Sequence, residues 1–442
     1  MIKYVQYKEI VSLYHLYDLF TIQEELTRVE RRIMSEQFDT VIIGAGHSGL
    51  AMGYCLSQKK QNFIILEKSN AVAPAWRGRW DSFTLVLPNW TLQLPDYAYQ
   101  GNNPDGFLNR DEMVQYLEDF TATFNPDIRF GSEVTGIEKN PAGSGFLVRT
   151  TENVYEADHV IVATGAFQEP KIPDFHKNIS KEITQLHSSE YRNPGELPDG
   201  AVLVVGSGQS GSQIAEELYK SGRKVYLCVG GAKRLPRTYR GRDSVAWLKE
   251  MGFFDMTVDK LSSPKDKFVA NPFLTGRDGG HSLDLHQFAK DGVVLLGRLQ
   301  DARGSRIYLA PTLKDSLTSI DNFVAEVKNN IDKFIEKNNI QAEAAPPQSP
   351  LKDGFDSEII EELDLKAEGI KTIIWASGYR FDYSLAKFPV LDGDGYPVQN
   401  RGVSDVPGLY FVGMNFMYRR ISGLPWGIAT DTEYMADHIV AH

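Results

Sequence analysis

Cysteine is nearly absent from the 442 residues: there are only Cys55 and Cys228, far apart and in unrelated contexts. No CxxC pair and no zinc-type spacing exists, which argues against a redox dithiol and against a cysteine-based metal site. Two isolated thiols suit a reducing cytosol, so a cytoplasmic location is expected. A basic excess is missing as well: 47 Lys plus Arg stand against 58 Asp plus Glu, a net charge of −11. That balance argues against a broad nucleic-acid footprint and leaves room only for a local basic pocket that could take a phosphate. No run approaches the roughly 18 uninterrupted apolar residues of a membrane span. Residues 1–33 interleave Lys3, Lys8, Glu9 and Asp18 with apolar side chains and lack the compact apolar core of a signal peptide. They read as an N-terminal helical extension.

What remains is an ordinary globular composition, 42% hydrophobic and 24% charged, in a chain about three times the 150 or so residues of one domain. Residues 38–43 form a short apolar, β-rich run ending in glycine; a helix-period segment follows over about 48–59, then a second strand at 63–66. Strand, turn, helix, strand within about 30 residues is a βαβ unit, the building block of parallel sheets. The same arrangement returns at 201–205, a glycine turn, a helix to about Lys220, and 224–229. Residues 158–165 read as a buried strand ending in the small-residue turn Ala163-Thr164-Gly165, with Pro170 and Pro173 beyond. A helix is expected over 318–339, a loop over 341–353, strands at 372–375 and 409–412, and a closing helix from about Ile428.

Gly44-Ala45-Gly46-His47-Ser48-Gly49 is the first phosphate-binding turn. The first glycine permits the tight turn, the second lets a pyrophosphate approach the backbone, and the third allows close helix–strand packing. Helix N–H groups and the macrodipole then face the phosphates. The pattern follows a strand, opens a helix, and is succeeded by Glu67 at the end of the second strand, where an acid accepts hydrogen bonds from ribose hydroxyls. The competing reading, a glycine turn that merely packs, explains less of this context. The second turn, Gly206-Ser207-Gly208-Gln209-Ser210-Gly211, is placed equally well. Its second strand ends at Val229-Gly230-Gly231 with no acid, and Lys233, Arg234 and Arg237 come next. A missing carboxylate beside cations fits a 2′-phosphate, hence NADPH, against the alternative of a solvated basic loop.

With these motifs in place the chain resembles the flavin-containing monooxygenases. The resemblance rests on both glycine turns, Ala163-Thr164-Gly165 with Pro170 and Pro173, Trp375-Ala376-Ser377-Gly378-Tyr379, and a late strand running from Pro407 through Gly408 to Gly413. The stretch 76–88, with Leu94-Pro95 beyond it, is similar more narrowly to the bacterial CzcO-like flavoproteins and the plant YUCCA-type enzymes. The resemblance implies an α/β fold of two dinucleotide-binding, Rossmann-like, three-layer domains, with an NADPH domain inserted in a discontinuous FAD domain. The expected division is 34–178 for the first FAD part, 179–353 for NADPH, and 354–442 for the returning FAD part. It further implies FAD on Gly44, Gly46, Ser48, Gly49, Glu67, Lys68, Trp76, Arg79, Trp80 and Val134. NADPH would lie on Gly206, Gly208, Gln209, Ser210, Gly211, Lys233 and Arg234, and Thr164 and Ser377 would sit where flavin and nicotinamide meet. Trp426, ahead of the closing helix, and Arg419 are the candidates for the substrate pocket.

By the same resemblance the expected reaction is oxygenation of a small soft-nucleophilic or aromatic substrate by O2 through a C4a-peroxyflavin. The flavin would carry that chemistry, so no Ser–His–Asp set is needed and no catalytic side chain is assigned. The departures are informative. Of the family signature FxGxxxHxxxY only His187 and Tyr191 survive, with Lys181 and Ile183 at the Phe and Gly places, which does not support a Baeyer–Villiger enzyme. Asn89 is near but out of register with the family's active-site asparagine. His47, His281 and His286 read as satisfied structural histidines, and Trp90 and Trp247 as core; no metal site is expected. A flavin reductase without oxygen insertion and a non-catalytic redox-sensing flavoprotein share both turns and stay open as alternatives, and so does a homodimer.

Overall fold

The computed structural model describes residues 35–269, 271–345 and 350–442; the helical extension expected over 1–33 lies outside the described residues. The first half runs β1 (Ser35–Ile43), α1 (His47–Gln58), β2 (Phe63–Glu67), β3 (Ile128–Phe130) and β4 (Val154–Val162). The second runs β5 (Thr184–His187), β6 (Ala201–Val205), α2 (Gln209–Lys220), β7 (Val225–Cys228), β8 (Val294–Leu296), α3 (Leu313–Lys337) and β9 (Ile370–Trp375). The chain then returns with β10 (Leu409–Phe411) and α4 (Ile428–Ala441). The fold is α/β, as expected.

Both halves are built on the same plan. The first sheet has the core order β10-β4-β1-β2-β3, the second β5-β9-β6-β7-β8, and every one of these pairings is parallel. In each, the strand that enters a glycine turn lies in the middle. Parallel strands covered on both faces read as continuous apolar runs, and Val41 to Ile43 and Val202 to Val204 are almost wholly buried. An antiparallel meander, Val134–Lys139 and Phe146–Thr150, extends the first sheet from β4. Helix α3 starts five residues earlier than the sequence suggested, because its buried stripe Leu313, Leu317, Ile320, Val324, Val327, Ile331 and Ile335 already has helical spacing from Leu313. Among the described residues no helix is long and apolar enough to cross a membrane.

One boundary falls differently from the expected division at 354. Strand β9 hydrogen-bonds between β5 and β6, inside the second sheet, so the chain leaves that sheet only after Trp375. Its Ile373, Ile374 and Trp375 are fully buried there, and Trp375 Nε1–H donates to Gln185 Oε1 at 3.1 Å.

Candidate functional site: two equivalent turns and the cavity between them

The first turn is built as its sequence requires. Gly44 has φ +109°, a region that favours glycine, and a Cβ there would fall 2.8 Å from the Ala163 carbonyl oxygen. A Cβ on Gly49 would fall 1.9 Å from the Gly44 oxygen, so helix and turn can approach only because that atom is missing. Gly46, the N-cap of α1, is different: nothing lies within 4 Å of its would-be Cβ. Helix α1 carries no capping side chain and no acid in its first turn, so its N-terminal N–H groups are left for an anion. Ser48 is buried against Gly413 of the late strand, whose Cβ would lie 2.3 Å from Ser48 Oγ. Glu67 is buried and accepts the Ala45 N–H on Oε2 at 2.7 Å and the Ser69 N–H on Oε1 at 2.8 Å. A carboxylate has about four acceptor positions, so capacity remains for a ribose hydroxyl. Lys68 beside it is exposed, and Val134 is half-buried, two residues beyond Ser132, whose N–H donates to the Glu67 carbonyl at 2.9 Å.

The second turn repeats this geometry. Gly206 has φ +108°, its Cβ would lie 2.6 Å from the Ala376 oxygen, and a Cβ on Gly211 would lie 1.8 Å from the Gly206 oxygen. Gly208 N-caps α2 and meets only Ala232 Cβ at 4.0 Å. Val229 stands at the place of the acid, and the turn is tied to that strand end from the other side, the Ser207 hydroxyl accepting the Gly230 N–H at 3.1 Å. Gln209 pins the neighbouring segment: its amide donates to the Leu274 carbonyl at 2.6 Å and accepts the Leu274 N–H at 3.2 Å. Ser210 is half-buried one residue on.

The two cations after that turn separate. Lys233 is half-buried, and its ammonium donates to the Ser319 carbonyl at 3.2 Å and to the Ser319 hydroxyl. Arg234 is largely buried and committed to carboxylates, 3.1 Å from Asp284 and 3.5 Å from Asp321. Arg237 is buried on Asp243 at 2.6 Å. Arg234, expected on a 2′-phosphate, therefore has its charge already matched by two aspartates within the fold, whereas Lys233 meets only neutral oxygens of Ser319.

Thr164 and Ser377 occupy equivalent positions at the ends of β4 and β9. The preceding residues, Ala163 and Ala376, each donate N–H to the glycine-turn strand, to Ile43 and Val205, both at 2.9 Å. Gln168 donates to Thr164 Oγ1 at 2.6 Å, and the Ser377 hydroxyl donates to the Lys171 carbonyl. A cavity of about 180 Å³ is lined among others by Arg79, Phe167, Gln168, Ser189 and Tyr379, with neither Thr164 nor Ser377 in its wall. Trp76, Trp80 and Phe83 form an aromatic wall behind Arg79, with ring centroids 6.1 Å (Trp76–Phe83) and 5.2 Å (Trp80–Phe83) apart. Of the surviving signature residues, His187 Nε2 reaches the Gly378 carbonyl at 3.0 Å and Tyr191 donates to Glu217 at 2.9 Å, both on the second half; the neighbouring Arg192 crosses to the first, donating to the Gly78 carbonyl at 3.0 Å.

Trp426 and Arg419 do not line this cavity. Trp426 packs edge-on to Trp90 at 5.1 Å and against Phe254 at 4.8 Å, while Arg419 reaches Asp255 at 3.8 Å. They join the closing loop to the segment around 251–256. Asn89 is buried and spends its amide on Asn103 and Leu108 backbone, at 3.0 and 2.8 Å. His281 pairs with Glu216 and the buried His286 with Asp321, structural uses in both cases. His47 lies edge-on to Trp76 at 6.4 Å, and burial pushes its pKa down to about 4, so it is neutral near pH 7. Among the described residues no cluster of His, Cys, Asp and Glu could hold a metal ion. Sequence reasoning missed Phe167 and Tyr379 as cavity residues; their only signal was adjacency to the two small-residue turns.

Comparison with known proteins agrees with this geometry. Residues 41–251 match the family described as pyridine nucleotide-disulphide oxidoreductase. A CzcO-like oxidoreductase of Geobacillus kaustophilus (strain HTA426) is 34% identical over 411 residues, covering 92% of this chain and 100% of that protein. A probable indole-3-pyruvate monooxygenase of Arabidopsis thaliana is 28% identical over 353 residues, 72% of this chain and 79% of its own. Among solved structures, a flavin-containing monooxygenase from Stenotrophomonas maltophilia superimposes with a TM-score of 0.64 at 17% identity, covering 92% of this chain and 99% of that one.

Proposed function

The chain belongs to the flavin-containing monooxygenase family, among its CzcO-like oxidoreductases, and from that membership we propose that it uses FAD and NADPH to insert one oxygen atom of O2 into a small soft-nucleophilic or aromatic substrate. The observation that carries the reading is the duplication of the turn, with Gly46 and Gly208 both leaving room at a helix N-terminus. FAD fits the first turn, because Gly46 leaves the pyrophosphate path clear and Glu67 keeps acceptor capacity for a ribose. When bound, the flavin takes hydride from NADPH and activates O2.

The protein's part is binding, orientation and exclusion of water. The α1 and α2 N-termini would each take one pyrophosphate, and Glu67 fixes the first turn through Ala45. Trp76, Trp80 and Phe83 shield the wall of the cavity, and His47 beside them carries no charge near neutral pH. Disulfide chemistry is disfavoured by the thiols themselves. Burial pushes both Cys55 and Cys228 up to about 12, and they belong to different halves of the fold.

The test is product analysis under isotopically labelled O2 with a panel of thioethers, amines and aromatic 2-oxo acids. One labelled oxygen atom in a product, with NADPH consumed in step, is expected. Complete return of the oxygen as hydrogen peroxide across the panel would replace this reading with that of a reductase.

A further inference from the structure

The helix Arg110–Ala122 carries four carboxylates, and arginines answer only two of them. Asp111 pairs with Arg110 at 2.8 Å, and Glu118 pairs with Arg77. Glu112 and Asp119 make no ion pair among the described residues. Glu112 takes the Asn109 N–H at 2.8 Å as part of the helix cap, and Asp119 takes the Gln115 amide at 2.9 Å. A carboxylate has about four acceptor positions, so each keeps capacity for a donor from outside the fold. The two acids are seven residues apart and share one face of the helix, with Gln115 and Tyr116 between them. Along the axis they stand two turns, about 10 Å, apart.

Exposed acids without partners are ordinary surface charge; the wall opposite them is not. The short hairpin of Gln93–Leu94 and Tyr97–Ala98 stands beside this face, and a cavity of about 340 Å³ opens between the two. Tyr97, Tyr99 and Tyr116 line it, each half-buried, and no lysine or arginine does. The Tyr97 and Tyr116 rings meet with centroids 5.3 Å apart, and the Tyr116 hydroxyl is spent on the Tyr97 carbonyl at 2.5 Å, which holds both rings in place. Tyr99 is folded over Gly101, where a Cβ would fall 2.1 Å from its hydroxyl oxygen. Burial and then the charge of Asp119 hold the Tyr97 phenol above the ordinary tyrosine range, so it stays a neutral ring beside the acid. Ring faces are negative, and with two carboxylates and no cation the whole cavity has one sign. It shares no residue with either glycine turn or with the cavity beside Arg79.

We propose that this cavity binds a linear aliphatic amine with two or more ammonium groups, one on Glu112 and another on Asp119, its alkyl chain lying along Tyr97, Tyr99 and Tyr116. One ammonium cannot meet both acids across two helical turns, whereas two joined by a short alkyl chain can. The site stands apart from the oxygen chemistry and does not depend on the monooxygenase reading. The probes are 1,5-diaminopentane, pentylamine and 1,5-pentanediol, which share a chain length and carry two, one and no charges. They are titrated calorimetrically into the FAD-loaded full chain at constant ionic strength. The diamine is expected to bind once per chain, about fivefold tighter than pentylamine, as one added ion pair at a partly exposed site implies, and the diol not at all. Glu112→Gln, which keeps the helix cap, and Asp119→Asn should each remove that advantage, and Tyr99→Leu should weaken both amines. Equal affinity for diamine and monoamine overturns the proposal, and so does an absence of binding by the diamine. A diamine advantage that survives both acid substitutions places the amine elsewhere and overturns it too. Displacement of the diamine by magnesium ion, with Tyr99→Leu without effect, would reduce the two acids to surface charge and likewise overturn it.

Discussion

The carboxylate of Glu67 accepts the backbone N–H of Ala45 at 2.7 Å across 22 positions of sequence, tying the end of one strand to the glycine turn that leaves its neighbour. The acid expected to hold a ribose thus also holds the turn, with a second oxygen on the Ser69 N–H. Glu67→Ala would orphan both amides. Each unmet buried donor costs about 1–3 kcal/mol, so a loss of roughly 2–6 kcal/mol is expected. It should appear as a lower unfolding temperature of the FAD-free protein together with a sharply reduced flavin-to-protein ratio. Reduced FAD content at unchanged apoprotein stability would restrict Glu67 to the ribose.

The glycines of the first turn separate into two kinds. Gly49→Ala places a Cβ 1.9 Å from a backbone oxygen and must disrupt the fold locally, whereas Gly46→Val enters open space. Gly46→Val is therefore expected to leave the thermal stability of the apoprotein within about 0.5 kcal/mol, as for a surface change, and to lose most of its FAD. Gly211→Ala, with its Cβ 1.8 Å from the Gly206 oxygen, should keep FAD and lose reduction by NADPH. Calorimetry of the apoproteins and anaerobic reduction of the loaded variants decide between these outcomes. FAD loss in Gly211→Ala would mean that the halves are not independent.

Much of this was legible beforehand because it is local. Each turn sits within six residues, and its strand and helix neighbours follow within about thirty, so spacing alone placed Gly44, Gly49, Gly206, Gly211 and Glu67. What spacing could not show were pairings across the chain. A buried parallel strand has the same apolar composition in either sheet, so nothing in residues 370–375 announced that β9 pairs with β5 and β6. Arg234 and Asp321 are 87 positions apart, and only the approach of α3 to the second turn brings them together.

The pairing of Arg234 changes what should be expected for cofactor preference. Arg234→Ala leaves Asp284 and Asp321 without their cation and should lower stability, while affecting NADPH and NADH alike. Lys233→Ala should instead raise the KM for NADPH by about tenfold and leave that for NADH nearly unchanged, as loss of one charge-assisted contact of about 1.5 kcal/mol implies. Steady-state kinetics with both nucleotides measure the split. Equal effects of Lys233→Ala on the two would return its ammonium to Ser319 alone.

A buried carboxylate gives a dependence on pH. Asp431, in the first turn of α4, is fully buried, and among the described residues no hydrogen bond of good geometry reaches either carboxylate oxygen, the Ser422 hydroxyl being a polar group beside it. Desolvation raises its pKa from 3.8 to about 6; the neighbouring Ser422, Arg419 and Arg401 pull the other way and do not offset it. A folded-state pKa above the unfolded one means that the native state holds the proton more tightly. Its contribution to stability is then fully present below about pH 3.8 and is lost as pH rises toward 6, staying lost above that. A tenfold change in proton affinity is worth about 1.4 kcal/mol, so the loss by neutral pH is at most about 3 kcal/mol. Asp431→Asn removes the ionisation and keeps the shape, so it should stabilise the protein by about 1–3 kcal/mol at pH 7.5 and make little difference at pH 4. Unfolding temperatures of both proteins at the two pH values, with FAD occupancy matched, give the comparison. Since the α4 N-terminus favours a negative charge, a destabilised Asp431→Asn at pH 7.5 would show that the helix end and Arg419 outweigh burial and that Asp431 works as an anion.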